Sequence, residues 1–306
     1  MTVTHRTGNP ANGRLAAGML VLLATLSFVP GARGQDAAAL GARRAAMHDR
    51  LATSQFQRPL VLDSTLTDDT VKGDIYAVVT QPYGVVGPAL EGKAHWCEIL
   101  ILHVNVKNCR ARGPGAGGIL GVSVGRKFDQ PLAAAYELEF AYRVAANAPG
   151  YLEVLLEAES GPLGTTRYRI ALEAMPLDAK TSFVHMSYAY SFGTTARLAM
   201  QAYLATIGRD KVGFTIVGRN ADGTPVYRGD VRGAVERNTM RYYLAIEAYL
   251  GAVSLPAAAR PERRLRDWFA ASERYPRQLH EMDLEDYLAM KRRELARQDA
   301  MAVTAN

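Results

Sequence analysis

The sequence predicts an α+β protein: a curved antiparallel sheet packed against a long C-terminal helix, with extra C-terminal helices. Three patterns carry this. Four stretches between residues 137 and 191 alternate apolar and polar side chains, separated by Pro, Gly and Asp turns, as an antiparallel meander does. After Gly193 the apolar period lengthens to that of a helix. Residues 231–253 hold this period longest, with Val235, Tyr242, Ile246, Tyr249 and Leu250 along one stripe. Two shorter amphipathic stretches, 262–275 and 284–298, follow breaks at Pro256 and Pro261.

In chain order, Arg6 and Arg14 precede an uncharged apolar run at 15–29, Pro30-Gly31 breaks it, and Ala32-Arg33-Gly34 supplies the small residues of a cleavage site. This reads as a secretion signal that leaves a mature, periplasmic chain starting at Gln35. The run falls short of the roughly 20 residues that span a bilayer, so no transmembrane segment is expected in the mature chain. Residues 35–50 are Ala-rich with Leu40 and Met47 at helical spacing, and a linker is expected from Pro59 to Thr70. Residues 72–80 read as a strand with Ile75, Ala77 and Val79 on one face; 81–101, interrupted by Gly87-Pro88 and Gly92, as short helices. Strands at 100–107 and 118–127 flank a Gly-rich turn that lacks the Lys-Ser/Thr of a phosphate-binding loop. The meander runs through 137–145, 151–159, 165–174 and 181–191, with Leu138, Phe140, Tyr142 and Val144 inward in its first strand. Thr194 caps a helix, 212–217 is a short strand, and a turn at 220–223 leads to the long helix. The organisation is thus a signal peptide (1–34), an N-terminal helix and linker (35–70), an α+β domain (71–253) and a helical extension (254–306).

With 48% hydrophobic and 22% charged residues, the composition of the 306-residue chain is that of a globular protein. Its net charge of +6 includes Arg6, Arg14 and Arg33 of the leader, and the remaining excess is spread among acids. That excludes the clustered basic face of a nucleic-acid binder. Cys97 and Cys109 are the two cysteines, and an even count in an exported chain predicts a disulfide. Closing so short a loop contributes on the order of 3 kcal/mol. Two free thiols are the alternative. No CxxC is present and His95 and His103 lack zinc spacing, so no metal or cofactor is expected.

The succession Gly73-Asp74-Ile75-Tyr76-Ala77-Val78, a helical stretch over 85–96 ending in Trp96, strands over 100–191 and then a long helix resembles the helix-grip superfamily. That superfamily includes START lipid-transfer domains, Bet v 1 proteins and polyketide cyclase-like proteins. The resemblance covers residues 72–253; the segment 194–217 and the two last helices depart from it. It implies an apolar cavity between sheet and helix that takes a hydrophobic or amphipathic, lipid-like small molecule, and it does not by itself imply catalysis.

Candidate lining residues follow from side-chain chemistry. Tyr142, Tyr188 and Tyr190 lie on expected strands and Tyr242 on the long helix, each with an apolar body and a polar tip. Core packing is the structural alternative for each. Asn238 and Arg241, three apart beside Arg237, share a helix face on which Arg241 can meet an anionic head group. Pairing of Arg241 with Glu157 or Glu173 is the structural alternative. Arg197 on the preceding helix is weighed in the same way. A rival reading is a cavity-based hydrolase or cyclase with His185 as its titratable group, although no G-x-S-x-G accompanies His185 and Ser187. A third is a protein-interaction module docking through the C-terminal helices, with partners that the sequence leaves unknown.

Overall fold

The computed structural model describes residues 32–115, 117–206 and 208–303. The expected leader lies outside these, apart from Ala32, Arg33 and Gly34, which open the first helix. Helices α1 (Ala32–Ala46) and α2 (His48–Ala52) lead into strands β1 (Leu60–Leu66) and β2 (Thr70–Val79). Helices α3 (Tyr83–Glu91) and α4 (Lys93–Leu100) then carry the chain across to β3 (Val106–Arg112). From there β4 (Gly117–Val124), β5 (Tyr136–Ala148), β6 (Tyr151–Ser160), β7 (Thr165–Pro176) and β8 (Ser182–Phe192) form a meander. Helix α5 (Thr194–Ala205) and the hairpin β9 (Ile216–Arg219) and β10 (Pro225–Tyr227) precede the long α6 (Val231–Gly251). Helices α7 (Arg260–Glu273), α8 (Pro276–Leu279) and α9 (Leu284–Val303) complete the described chain.

The main sheet has eight antiparallel strands in the order β1-β2-β8-β7-β6-β5-β4-β3, so the meander returns to pair its last strand with β2. With two helices inserted after β2 and a long helix laid across the sheet, this is the helix-grip α+β arrangement. Register shifts between Val106 and Asn108, Val144 and Ala146, and Thr166 and Arg169 mark bulges, which bend strands and curve a sheet. The bulge in β5 also changes its outward face. Leu138, Phe140 and Tyr142 pack inward, whereas Ala146 joins a second apolar cluster on the opposite side.

That opposite side is covered by the N-terminal helices, through Leu40 and Leu51 against Val61, Tyr76, Tyr151 and Phe183. β8 is consequently buried on both faces along nearly its whole length. On the inner side α6 meets the sheet most closely at β2. A Cβ on Gly73 would fall 2.2 Å from Thr239 Oγ1, so only a glycine lets the helix come down there. A similar approach holds the N-terminal end of α6, where a Cβ on Gly213 would fall 2.6 Å from Gly233 Cα. Asp230 caps that end by accepting from the Arg232 and Gly233 amides.

Three expectations need correction. Residues 60–66 are not linker: they form β1, paired with β2 from Leu60↔Ala77 to Leu66↔Val71. Asp63, Ser64 and Thr65 break the apolar alternation there because burial fades along the strand. The strand expected at 100–107 starts only at Val106, since residues 101–105 make turns in which His103 N donates to Leu100 O (3.1 Å) and Val106 N to His103 O (3.0 Å). The strand expected at 212–217 likewise starts at Ile216.

The C-terminal helices are part of the core. α7 packs on the side of α6 away from the sheet, with Trp268 Nε1 donating to Arg241 O (3.0 Å), and α9 lies along β3. Fully buried Lys107 and Lys291 share Glu294 at 3.0 and 2.8 Å, while Lys291 also donates to the carbonyls of His103 and Val106. Tyr287 donates to Leu102 O (2.8 Å). The apolar faces of α7 and α9 are therefore occupied internally, including Leu265, Trp268, Tyr287 and Leu288, and do not form the exposed docking surface expected of an interaction module. A disulfide joins Cys97 on α4 to Cys109 on β3, as expected.

Candidate functional site

Away from its contact at Gly73, α6 leaves a cavity against the sheet. It has three adjoining lobes, with Thr165, Tyr190 and Met200 in the walls of the first two and Asn105, Tyr168, Tyr188 and Asn238 in the walls of the second and third. The outer lobe, about 270 Å³, opens between the β1–β2 turn, α5 and the start of α6, with Leu66, Phe192 and Arg197 in its wall. The middle lobe, about 370 Å³, is lined by Lys127, Arg237, Asn238 and Arg241 together with Tyr168, Tyr188 and Tyr190. The inner lobe, about 170 Å³, ends on Val122, Leu138, Phe140 and Ile170, with His103 and Tyr242 at its side. Lobes of this size and mixed lining suit a small organic ligand.

The tyrosines form a continuous wall. Tyr168 stacks on Tyr190 with ring centres 5.3 Å apart, Tyr188 meets Tyr242 at 5.3 Å, and Tyr242 stacks on His103 at 4.6 Å. Burial raises the Tyr188, Tyr190 and Tyr242 phenols above their ordinary range, so they stay neutral hydrogen-bonding groups. The sequence candidates Tyr188, Tyr190, Arg197, Asn238, Arg241 and Tyr242 thus come together around one space. Tyr142 does not join them: its hydroxyl donates to Glu91 O at the α3–α4 junction.

Arg241 pairs with neither Glu157 nor Glu173. Its guanidinium meets Glu281 at 2.6 Å, a carboxylate supplied by the loop before α9. Lys127 and Lys211 meet the same carboxylate at 2.5 and 3.1 Å. Burial opposes ionisation of Glu281, but the charges of Arg241 and Lys127 outweigh it and lower its pKa. Burial and the nearby Arg241 push Lys127 down to about 8 despite Glu281.

His185 is not at the floor of the cavity. It lies on the other face of the sheet beneath α1, stacked on Tyr76 and held between Asp74 at Nε2 (2.8 Å) and Glu173 at Nδ1 (2.6 Å). Arg43 of α1 reaches the same Glu173 at 2.7 Å. This position removes His185 as the titratable group of a cavity hydrolase or cyclase. The histidine that does line the cavity is His103, passed over in the sequence except as a rejected metal ligand. Its Nδ1 accepts the Asn105 amide (3.1 Å), which leaves the proton on Nε2. Burial, with Arg241, Lys291 and Lys127 nearby, holds its pKa well below the ordinary value, so it is a neutral donor and a poor base. Lys127, Glu281 and His103 escaped sequence reasoning because loops far apart in the chain bring them together. No cluster of metal-ligating side chains occurs among the described residues.

No family model matches the chain, and no curated protein matches it. Among solved structures it is similar to human StAR-related lipid transfer protein 5, at 8% identity over 72% of this chain and 96% of that one, with a TM-score of 0.35. An aromatase/cyclase from a Streptomyces species matches at 11% identity over 64% and 96%, TM-score 0.34. Norcoclaurine synthase from Thalictrum flavum, in complex with dopamine and hydroxybenzaldehyde, matches at 16% identity over 45% and 77%, TM-score 0.32. Likeness this distant assigns no ligand or reaction to the chain.

Proposed function

We propose that this chain is an exported, periplasmic protein that holds a hydrophobic or amphipathic small molecule in the cavity between its sheet and α6. The observation that carries the reading is the tyrosine wall, which runs along three adjoining lobes whose lining is mostly apolar with a few polar groups. Ligand surface transferred from water to that end contributes about 2.5 kcal/mol per 100 Å². The tyrosine hydroxyls and Asn238 offer hydrogen bonds that fix orientation. The Cys97–Cys109 bridge suits an oxidising compartment, in keeping with export.

Native mass spectrometry of protein purified from the periplasm is expected to find a co-purified small molecule on a chain whose mass begins at Gln35. Tyr188→Ala and Tyr242→Ala are each expected to weaken binding of a fluorescent lipid probe about tenfold, corresponding to about 1.4 kcal/mol. Probe affinity indifferent to both substitutions would remove the cavity reading, and a retained leader would remove export with cleavage.

A further inference from the structure

The middle lobe differs in charge from the other two. Three cations, Lys127, Lys211 and Arg241, share the single carboxylate of Glu281. Arg237, 5% exposed, is a further cation in the lining of the same lobe. Arg241 is 2% exposed, so its charge is little screened by bulk water. The lining of the middle lobe thus places Lys127, Arg237 and Arg241 around one space with, among the described lining residues, no acid.

We propose that the middle lobe is an anion-recognising subsite, in which a carboxylate or phosphate monoester of the bound molecule lies among Lys127, Arg237 and Arg241 while its apolar part enters the inner lobe. Glu281 is the organiser of this subsite and not a competitor for it. By holding Lys127 and Arg241 through Oε1 and Lys211 through Oε2 it fixes their positions. The planar donor fork of a guanidinium, as at Arg237 and Arg241, suits both carboxylate and phosphate. Asn238, in the lining of both the middle and inner lobes, stands at the junction of head and tail. The ligand class thereby narrows from amphipathic to anionic amphipathic, which rests on the cavity reading above.

The test compares decanoate, decyl phosphate and decanol, which share one tail and differ in the head, by calorimetric titration of the full mature chain. Decanoate or decyl phosphate is expected to bind about tenfold or more tightly than decanol, as a charge-assisted contact allows. The tighter of the two anions tells a carboxylic acid from a phosphate monoester. In Lys127→Met and in Arg237→Met the preference for anion over alcohol is expected to fall toward one. Lys127→Gln provides a second variant should Lys127→Met not fold. Affinity for decanoate is also expected to weaken as pH rises through about 8, where Lys127 loses its proton among Arg241, Lys211, Glu281 and the neutral His103, while decanol affinity stays level. If decanol binds as tightly as both anions, or the preference survives both Lys127 and Arg237 variants, the anion subsite is overturned and the cavity reading stands. If none of the three binds, both fall.

Discussion

His185 shows how one side chain can be well placed without being catalytic. It sits between two carboxylates on the outer face of β8, and its neighbours make it a pH-dependent structural group. Burial disfavours its charged form, but hydrogen bonds and charge from Asp74 and Glu173 outweigh this and raise its pKa. For Glu173, burial is likewise outweighed by bonds from His185 and Tyr151 and by the charges of His185 and Arg43, holding its carboxyl down at about 2. The two signs differ. Stabilisation by the raised imidazole is complete below its unfolded pKa of about 6.5 and fades as pH rises through the folded value. Stabilisation by the lowered carboxylate is complete above its unfolded pKa of about 4.3 and fades as pH falls toward the folded value. Urea midpoints are expected to decline from mildly acidic toward alkaline pH, and His185→Gln is expected to flatten that alkaline decline. An unchanged slope in the variant would mean that another group is responsible. The disulfide is a second residue-scale term: Cys97→Ser with Cys109→Ser is expected to lower stability by about 3 kcal/mol in the same assay.

Among the elements, legibility in the sequence tracked how local the determining contacts are. β5 was readable because one side of it is packed and the side-chain period reports it, and β6 through β8, more fully buried, because Pro, Gly and Asp turns bound them. α3 and α4 were readable from Gly and Pro punctuation. β1 was not, since its polar half is held by pairing with β2 and not by burial. On α6 the sequence predicts one apolar stripe, yet Glu236, Arg237 and Arg241 are buried too. Their polarity is matched by distant partners: Glu236 accepts from Ser64 and from the Phe214 and Thr215 amides, and Arg241 meets Glu281. No periodicity in the helix itself can signal a partner more than twenty residues away, and for the same reason the candidate site was legible in its tyrosines, Arg197, Asn238 and Arg241 but not in Lys127, Glu281 and His103. The link between α9 and β3 gives an element-scale prediction. Glu294→Gln leaves Lys107 and Lys291 buried without a counter-charge, and is expected to cost about 3–5 kcal/mol in chemical denaturation. Glu262→Gln, at the exposed pairs with Arg266 and Arg292, is expected to cost about 1 kcal/mol or less. Equal costs would deny α9 its anchoring role.

For the molecule as a whole, the extension after α6 belongs to the same folding unit as the sheet. A chain ending at Val253 loses Trp268, Tyr287, Lys291 and Glu281, and is expected to lack a cooperative thermal transition; a sharp, native-like transition would show the extension to be dispensable. The pairing of β2 with β8 has a consequence of a different kind, in time instead of space. Val79 lies beside Ser182, so forming that contact closes a loop of roughly a hundred residues, and loop closure of that span slows folding. During synthesis β2 can pair with β1 at once, but its other edge waits until β8 has been made, and the covering α6 comes later still. Until then the β1–β2 hairpin is an isolated strand pair, which is marginally stable at best in water. If the chain is exported as proposed, that delay keeps the polypeptide threadable until it has crossed the membrane.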